Sequence, residues 1–283
     1  MSQIIEVTTR QGDPAETSAD TRVVGLFVDE PSGIESIDKL VESGEIKAAY
    51  KSTGVVRSHS QRFVTVGMGK RDEFTDERAR VVGAAAVGAA KGLGAKSLSA
   101  SGPDTDDLAS TAAAFAEGVI LKNYVFDAYK SKSEDDDSDD GFITSLEIVT
   151  EADIAVAVKI GVASADAANR ARDLQNQPSN VATPTYLGDR ASAIAAEHGL
   201  EFEIHDREWI INKGMGAFAA VAKGTEEEPQ LIVLKYNGAG ASGPTLGFVG
   251  KAVTFDTGGI SLKPSGKMEE MKFDMSGGAA VLE

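Results

Sequence analysis

Arg62-Phe63-Val64-Thr65-Val66 is followed, after Gly67-Met68-Gly69-Lys70, by the alanine-rich run Thr75 to Leu93, closed by Gly94. The first stretch is branched and aromatic and reads as a buried strand. The second reads as a helix: Thr75 can cap it, Glu77 lies in its first turn, and Gly94 lies just beyond its end. The middle of that helix, Val82-Gly-Ala-Ala-Ala-Val-Gly-Ala-Ala90, is built from small residues, which suit close packing more than solvent exposure. Outward from this pair the same alternation continues. Val23 to Val28 reads as a second buried strand, Leu108 to Leu121 as a helix, and Phe142 to Val149 as a further strand. Strands alternating with helices predict an α/β fold with a mostly parallel sheet.

The chain has 283 residues, 42% of them hydrophobic and 25% charged, which fits globular domains of ordinary size and predicts two of them. It contains no cysteine, so neither disulfides nor thiolate metal sites are available, and any metal must be held by oxygen or nitrogen. The N-terminal sequence lacks the basic flank and apolar run of a signal peptide, and no apolar stretch reaches the roughly 20 residues of a membrane span. These features predict a cytoplasmic protein with no membrane partner. A formal net charge of −16 argues against nucleic acid as a partner.

The run Ser131 to Asp140 is too densely acidic to pack and reads as a solvated loop; it lacks the central glycine and terminal glutamate of an EF-hand. Ala163 to Gln175 reads as a helix ended by Asn176-Gln177-Pro178, a natural bridge between domains. The expected division is therefore an N-terminal α/β domain over 1–160, a linker helix over 161–177, and a second domain from 178 to 283. In that second domain Thr183 and Pro184 start a helix to about His198. A strand at Glu201 to Ile204 and a short helix around Trp209 follow. Further strands are expected at Ala217 to Val221, Leu231 to Tyr236 and Leu246 to Val249. His59, His198 and His205 are scattered without ligand spacing and read as surface residues, and Trp209 as a packing residue.

The chemistry concentrates after Leu246-Gly-Phe-Val-Gly250. Lys251, Asp256, Lys263 and Asp274 alternate in charge along a stretch broken by Gly258-Gly259. Two carboxylates on loops beside a strand end suit a divalent cation. A lysine beside such a cation must either lose its proton or face the substrate, and a charged one can stabilise an oxyanion. The plainer alternative is a pair of surface ion pairs, Lys251 with Asp256 and Lys263 with Asp274. A phosphate-binding loop at Gly250-Lys251 fails on spacing, because that motif needs glycine at 245 and serine or threonine at 252, where Thr245 and Ala252 stand.

The stretch from Val249 to Leu282 resembles the signature of the leucyl aminopeptidase (cytosol aminopeptidase) family of two-metal exopeptidases. Asn176-Gln-Pro-Ser-Asn180, Thr183-Pro184 and Gly214 to Gly224 resemble the start of that family's catalytic domain. Glu117 to Lys130 resembles its N-terminal domain more loosely. The resemblance implies that Lys251, Asp256 and Asp274 hold metal, with Asp256 bridging two divalent ions (Mn or Zn). It assigns Lys263 to the catalytic role of polarising the scissile carbonyl, and Met271 to the pocket for the first side chain. It further implies release of N-terminal leucine and other apolar residues from peptides with a free N-terminus, by a homohexamer.

The family's second motif, Asn-Thr-Asp-Ala-Glu-Gly-Arg, does not occur in the chain. The expectation is accordingly an incomplete α/β metallopeptidase catalytic domain, inactive by itself. The competing reading is a non-catalytic DNA-binding or interaction protein on the same fold.

Overall fold

The computed structural model describes every residue except 1–2, 59–60, 103–104, 132–140, 239 and 241. His59 and all of the acidic run beyond Ser131 therefore lie outside the described residues. The chain forms two compact units, Met1–Asn169 and Arg170–Glu283.

In the first unit the elements run β1 (Glu6–Gln11), β2 (Thr21–Phe27), α1 (Glu35–Glu42), β3 (Thr53–Ser58) and β4 (Gln61–Gly69). After a 3-10 turn at Arg71–Glu73 come α2 (Asp76–Lys91), β5 (Ser97–Ser101), α3 (Leu108–Asn123) and β6 (Ser145–Thr150). Helix α4 (Ala155–Asn176) crosses the boundary between the units. The six strands form one sheet in the order β1-β6-β5-β2-β4-β3. All neighbours are parallel except β3, which lies antiparallel to β4 at one edge.

The strand pattern explains the layering. Val64 and Val66 of β4 enter a core with Val87, Phe115, Val119, Leu146 and Ile148, whereas Phe63 turns the other way to join Val24, Leu26 and Ile37. Alternate residues of a strand point to opposite faces, so β4 feeds both cores. Thr75 caps α2 as expected, its Oγ1 accepting from the Arg78 N–H. The small residues of α2 are used against α3: a Cβ on Gly118 would lie 1.8 Å from the Arg80 carbonyl oxygen, so the helices meet backbone to backbone. Arg80 then donates to Glu117 at 2.7 Å and secures the same crossing.

Strand β6 begins at Ser145, later than the Phe142 expected from the sequence. The buried Asn123 side chain accounts for the difference. Its Nδ2 donates to the Ile143 carbonyl at 2.7 Å and its Oδ1 accepts from the Ile143 N–H at 3.1 Å. Ile143 thus has its backbone bonds met by a side chain rather than by a neighbouring strand. Helix α4 also starts earlier than Ala163, at Ala155.

The second unit continues with α5 (Pro184–His198), β7 (Glu201–His205), α6 (Arg207–Asn212), α7 (Gly216–Ala222) and β8 (Leu231–Lys235). A 3-10 segment, Met268–Met275, leads directly into α8 (Ser276–Leu282). Thr183 caps α5 by accepting from the Tyr186 N–H, with Pro184 in the first turn and Gly199 left-handed at the end. Strands β7 and β8 pair antiparallel.

Two strands expected here do not form. Ala217 to Val221 lies in α7, where its run of alanines follows helix propensity. Leu246 to Val249 is irregular, and Leu246, Phe248 and Val249 are exposed. A strand needs a partner for its backbone groups, and no described strand pairs with this stretch. Among the described residues no helix is long and apolar enough to cross a membrane.

Candidate active site

The candidate residues sit on two strips of chain, 250–263 and 271–278, joined by backbone contact. The Gly278 N–H donates to the Lys251 carbonyl at 2.6 Å. A Cβ on Gly250 would fall 2.4 Å from the Gly277 carbonyl oxygen, so glycine is required there for the strips to meet. Behind this contact, Met275 and Ala279 are buried against Ala171 and Leu174 of α4 and Leu187 of α5. Arg190 of α5 grips Glu283 through both carboxylate oxygens, at 2.5 and 2.6 Å.

On that base the four alternating charges pair off. The Lys251 ammonium lies 2.5 Å from Asp274 Oδ1 and 2.6 Å from Oδ2. The Lys263 ammonium lies 2.6 Å from Asp256 Oδ2 and also donates to the Asp256 carbonyl at 3.0 Å. This reverses the ion pairs suggested by sequence order alone. Lys251 is remote from Asp274 in sequence but meets it through the α8 contact, whereas Lys263 folds back over the Gly258-Gly259 turn onto Asp256. The Gly258 N–H donates to Asp256 Oδ1 at 2.8 Å within that turn. The Lys263 ammonium, then the Gly258 N–H, with further help from the Lys251 charge, hold the Asp256 carboxyl below its ordinary value.

All four groups are reachable from solvent, Asp274 least so at 22% side-chain exposure and Lys251 most at 61%. Met271 is half-buried on the 3-10 segment that carries Asp274. In a 3-10 helix residues three apart eclipse one another, which puts Met271 and Asp274 on one face.

The donor set fits a metal only in part. Two carboxylates and one amine, once Lys251 gives up its proton, supply three donors of the kinds that Mn and Zn accept. Among the described residues no three His, Cys, Asp or Glu side chains converge on a metal position. Lys251, Asp256 and Asp274 are the residues here that could hold an ion, and a second ion would need further donors.

Sequence reasoning overlooked the device beneath Asp274. Lys272 donates to the Asn176 carbonyl at 3.0 Å, at the C-terminal end of α4. A signal was available: α4 has no basic residue in its own last turn. Neither of the two described histidines belongs to the site. His198 is exposed, and His205 stacks on Trp209 with ring centroids 3.8 Å apart, which gives Trp209 a packing partner.

Comparison with known proteins places both units in one family. Residues 12–133 match the N-terminal domain of the cytosol aminopeptidase family, and residues 169–283 match its catalytic domain. A probable cytosol aminopeptidase of Koribacter versatilis is 38% identical over 256 residues, covering 84% of this chain and 49% of that protein. One from Geobacter sp. is 35% identical over 283 residues, covering 95% of this chain and 58% of its own length. The chain thus spans about half to three-fifths of these relatives.

Among solved structures, the bottromycin maturation enzyme BotP in complex with Mn superposes with a TM-score of 0.78 at 30% identity, covering 94% of this chain and 55% of BotP. A tomato leucine aminopeptidase mutant superposes with a TM-score of 0.79 at 25% identity, covering 99% of this chain and 58% of its own. Two matched domains and relatives 35–38% identical over most of the chain lead to one conclusion: the chain belongs to the cytosol aminopeptidase family.

Proposed function

We propose that the whole protein is a metal-dependent aminopeptidase that removes N-terminal residues, preferably leucine and other apolar ones, from peptides with a free N-terminus. The observation that carries this reading is the alternating set Asp274–Lys251 and Asp256–Lys263 on two strips held in backbone contact, inside the region that matches the family's catalytic domain. Membership of the family and the Mn in the BotP complex support a divalent metal.

Lys251, Asp256 and Asp274 would hold the ion. When bound, a divalent cation polarises a carbonyl and makes water a nucleophile near neutral pH. The protein's own contribution lies in charge and position. Lys263 carries its ammonium at the rim, tied to Asp256 by two bonds, where it can meet the oxygen of the scissile carbonyl as negative charge develops there. Met271 offers an apolar contact for the first side chain on the same face as Asp274. The free α-amine of the peptide would be anchored at the ion through its nitrogen lone pair, which an acetylated N-terminus does not offer, and this supports selection for unblocked ends.

A second ion would need donors beyond those gathered here. Turnover by residues 1–283 alone is therefore not expected. Action in the cytoplasm as a homohexamer belongs to the same proposal and rests on the family resemblance.

The test is leucine release from leucine amide and from its N-acetylated form by the full-length protein, with Mn or Zn and with a chelator. Release from the unblocked substrate alone, lost with the chelator, is the expected result. No release with any metal would refute the reading.

A further inference from the structure

Helix α4 ends at Asn176 with no basic residue in its last turn. The last carbonyls of any helix lack partners within it and carry the negative end of the helix dipole. In this protein the cation that meets them comes from far along the chain. The Lys272 ammonium donates to the Asn176 carbonyl at 3.0 Å, and Lys272 is two residues before Asp274. Just beyond Asp274, Met275 is 1% exposed and packs with Ala171 and Leu174 of the same helix.

Asp274 is thus held between a polar anchor and an apolar one, both on α4. From that position its two oxygens face Lys251, whose carbonyl is fixed in turn by the Gly278 N–H of α8.

We infer that Lys272 is the positioning residue of the site: docked on the C-terminal carbonyl of α4, it fixes the direction of the Asp274 carboxylate. It does not touch the substrate or the ion. A neutral side chain of similar length would leave the Asn176 carbonyl without this cation and free the 3-10 segment to turn, moving the Asp274 carboxylate away from Lys251. The inference rests on the metal reading above.

The experiment measures Mn²⁺ affinity of the full-length protein by titration, for the unaltered protein, K272M, K272R and D274N. Thermal unfolding of each variant checks that the chain remains folded, and K272Q replaces K272M if the latter does not. Losing a group that orients a metal ligand typically weakens metal binding by about 10- to 100-fold. K272M is expected to show that loss, with K272R recovering most of the affinity because it keeps a cation at the carbonyl. A purely structural lysine would change the unfolding temperature without this pattern in Mn²⁺ binding. Unchanged affinity in K272M, alongside loss in D274N, would overturn the inference and leave the metal reading standing. Equal affinity in D274N and the unaltered chain, or no Mn²⁺ binding at all, would overturn the metal reading and the inference with it.

Discussion

The ammonium of Lys251 sits 2.5 and 2.6 Å from the two oxygens of Asp274, 23 positions further along the chain. That pairing, with Lys263 on Asp256, makes the four charges a matched set rather than neighbours in sequence. Removing either member of the second pair therefore acts on chemistry more than on folding, because both side chains are partly exposed. In the full-length protein, Lys263→Ala and Asp256→Ala are each expected to lower turnover by at least about 100-fold, the scale of losing an oxyanion-stabilising group. Steady-state kinetics on unblocked leucine amide, with unfolding curves to show that the fold is kept, would check this. Near-normal turnover in both would remove these residues from the site.

Asp20 gives the clearest pH signature. Burial pushes its carboxyl up, but the Thr21 hydroxyl, the Lys96 N–H, the Arg62 guanidinium and the Ser97 N–H together outweigh this and hold it at about 2. A carboxyl lower in the folded chain than in the unfolded one stabilises the fold above the unfolded value, and that contribution is lost as pH falls through about 2. Asp20 is partly exposed, so screening reduces the effect. Asp20→Asn is expected to cost about 1 kcal/mol at about pH 7. Denaturant unfolding across the acid range should show the gap between variant and parent closing towards pH 2. A gap that stays constant with pH would contradict the assignment.

The α2–α3 crossing has no room for a side chain at Gly118, where a Cβ would meet the Arg80 carbonyl at 1.8 Å. Gly118→Ala gains helix propensity but must push the helices apart. The steric cost wins, and a net destabilisation of about 1–3 kcal/mol is expected from chemical unfolding. A more stable Gly118→Ala protein would show that the helices do not meet as described.

Asn123 satisfies both backbone groups of Ile143, which is itself fully buried. Asn123→Ala leaves a buried N–H and a buried carbonyl without that partner, at an expected cost of about 2 kcal/mol or more. Hydrogen exchange at the Ile143 amide should accelerate in the variant ahead of the amides of β6. Unaltered exchange at that amide would mean that it has another partner.

The local signals in the sequence were sufficient where a segment's structure depends on its own residues. Thr75 capping α2, Thr183 and Pro184 starting α5, and the valine-rich β2 and β4 all form as read. The spacing of Lys251, Asp256, Lys263 and Asp274, on which the proposed site rests, is likewise a property of the chain itself. What needed the tertiary structure was every feature with a partner far away in sequence. The apolar run Leu246 to Val249 reads as a strand but pairs with no described strand. The same holds for Lys251 choosing Asp274, for Lys272 reaching Asn176, and for Asn123 standing in for a strand at Ile143. A sequence fixes which side chains can bond and where helices begin. Only the folded backbone brings an ammonium within 3 Å of one acceptor rather than another.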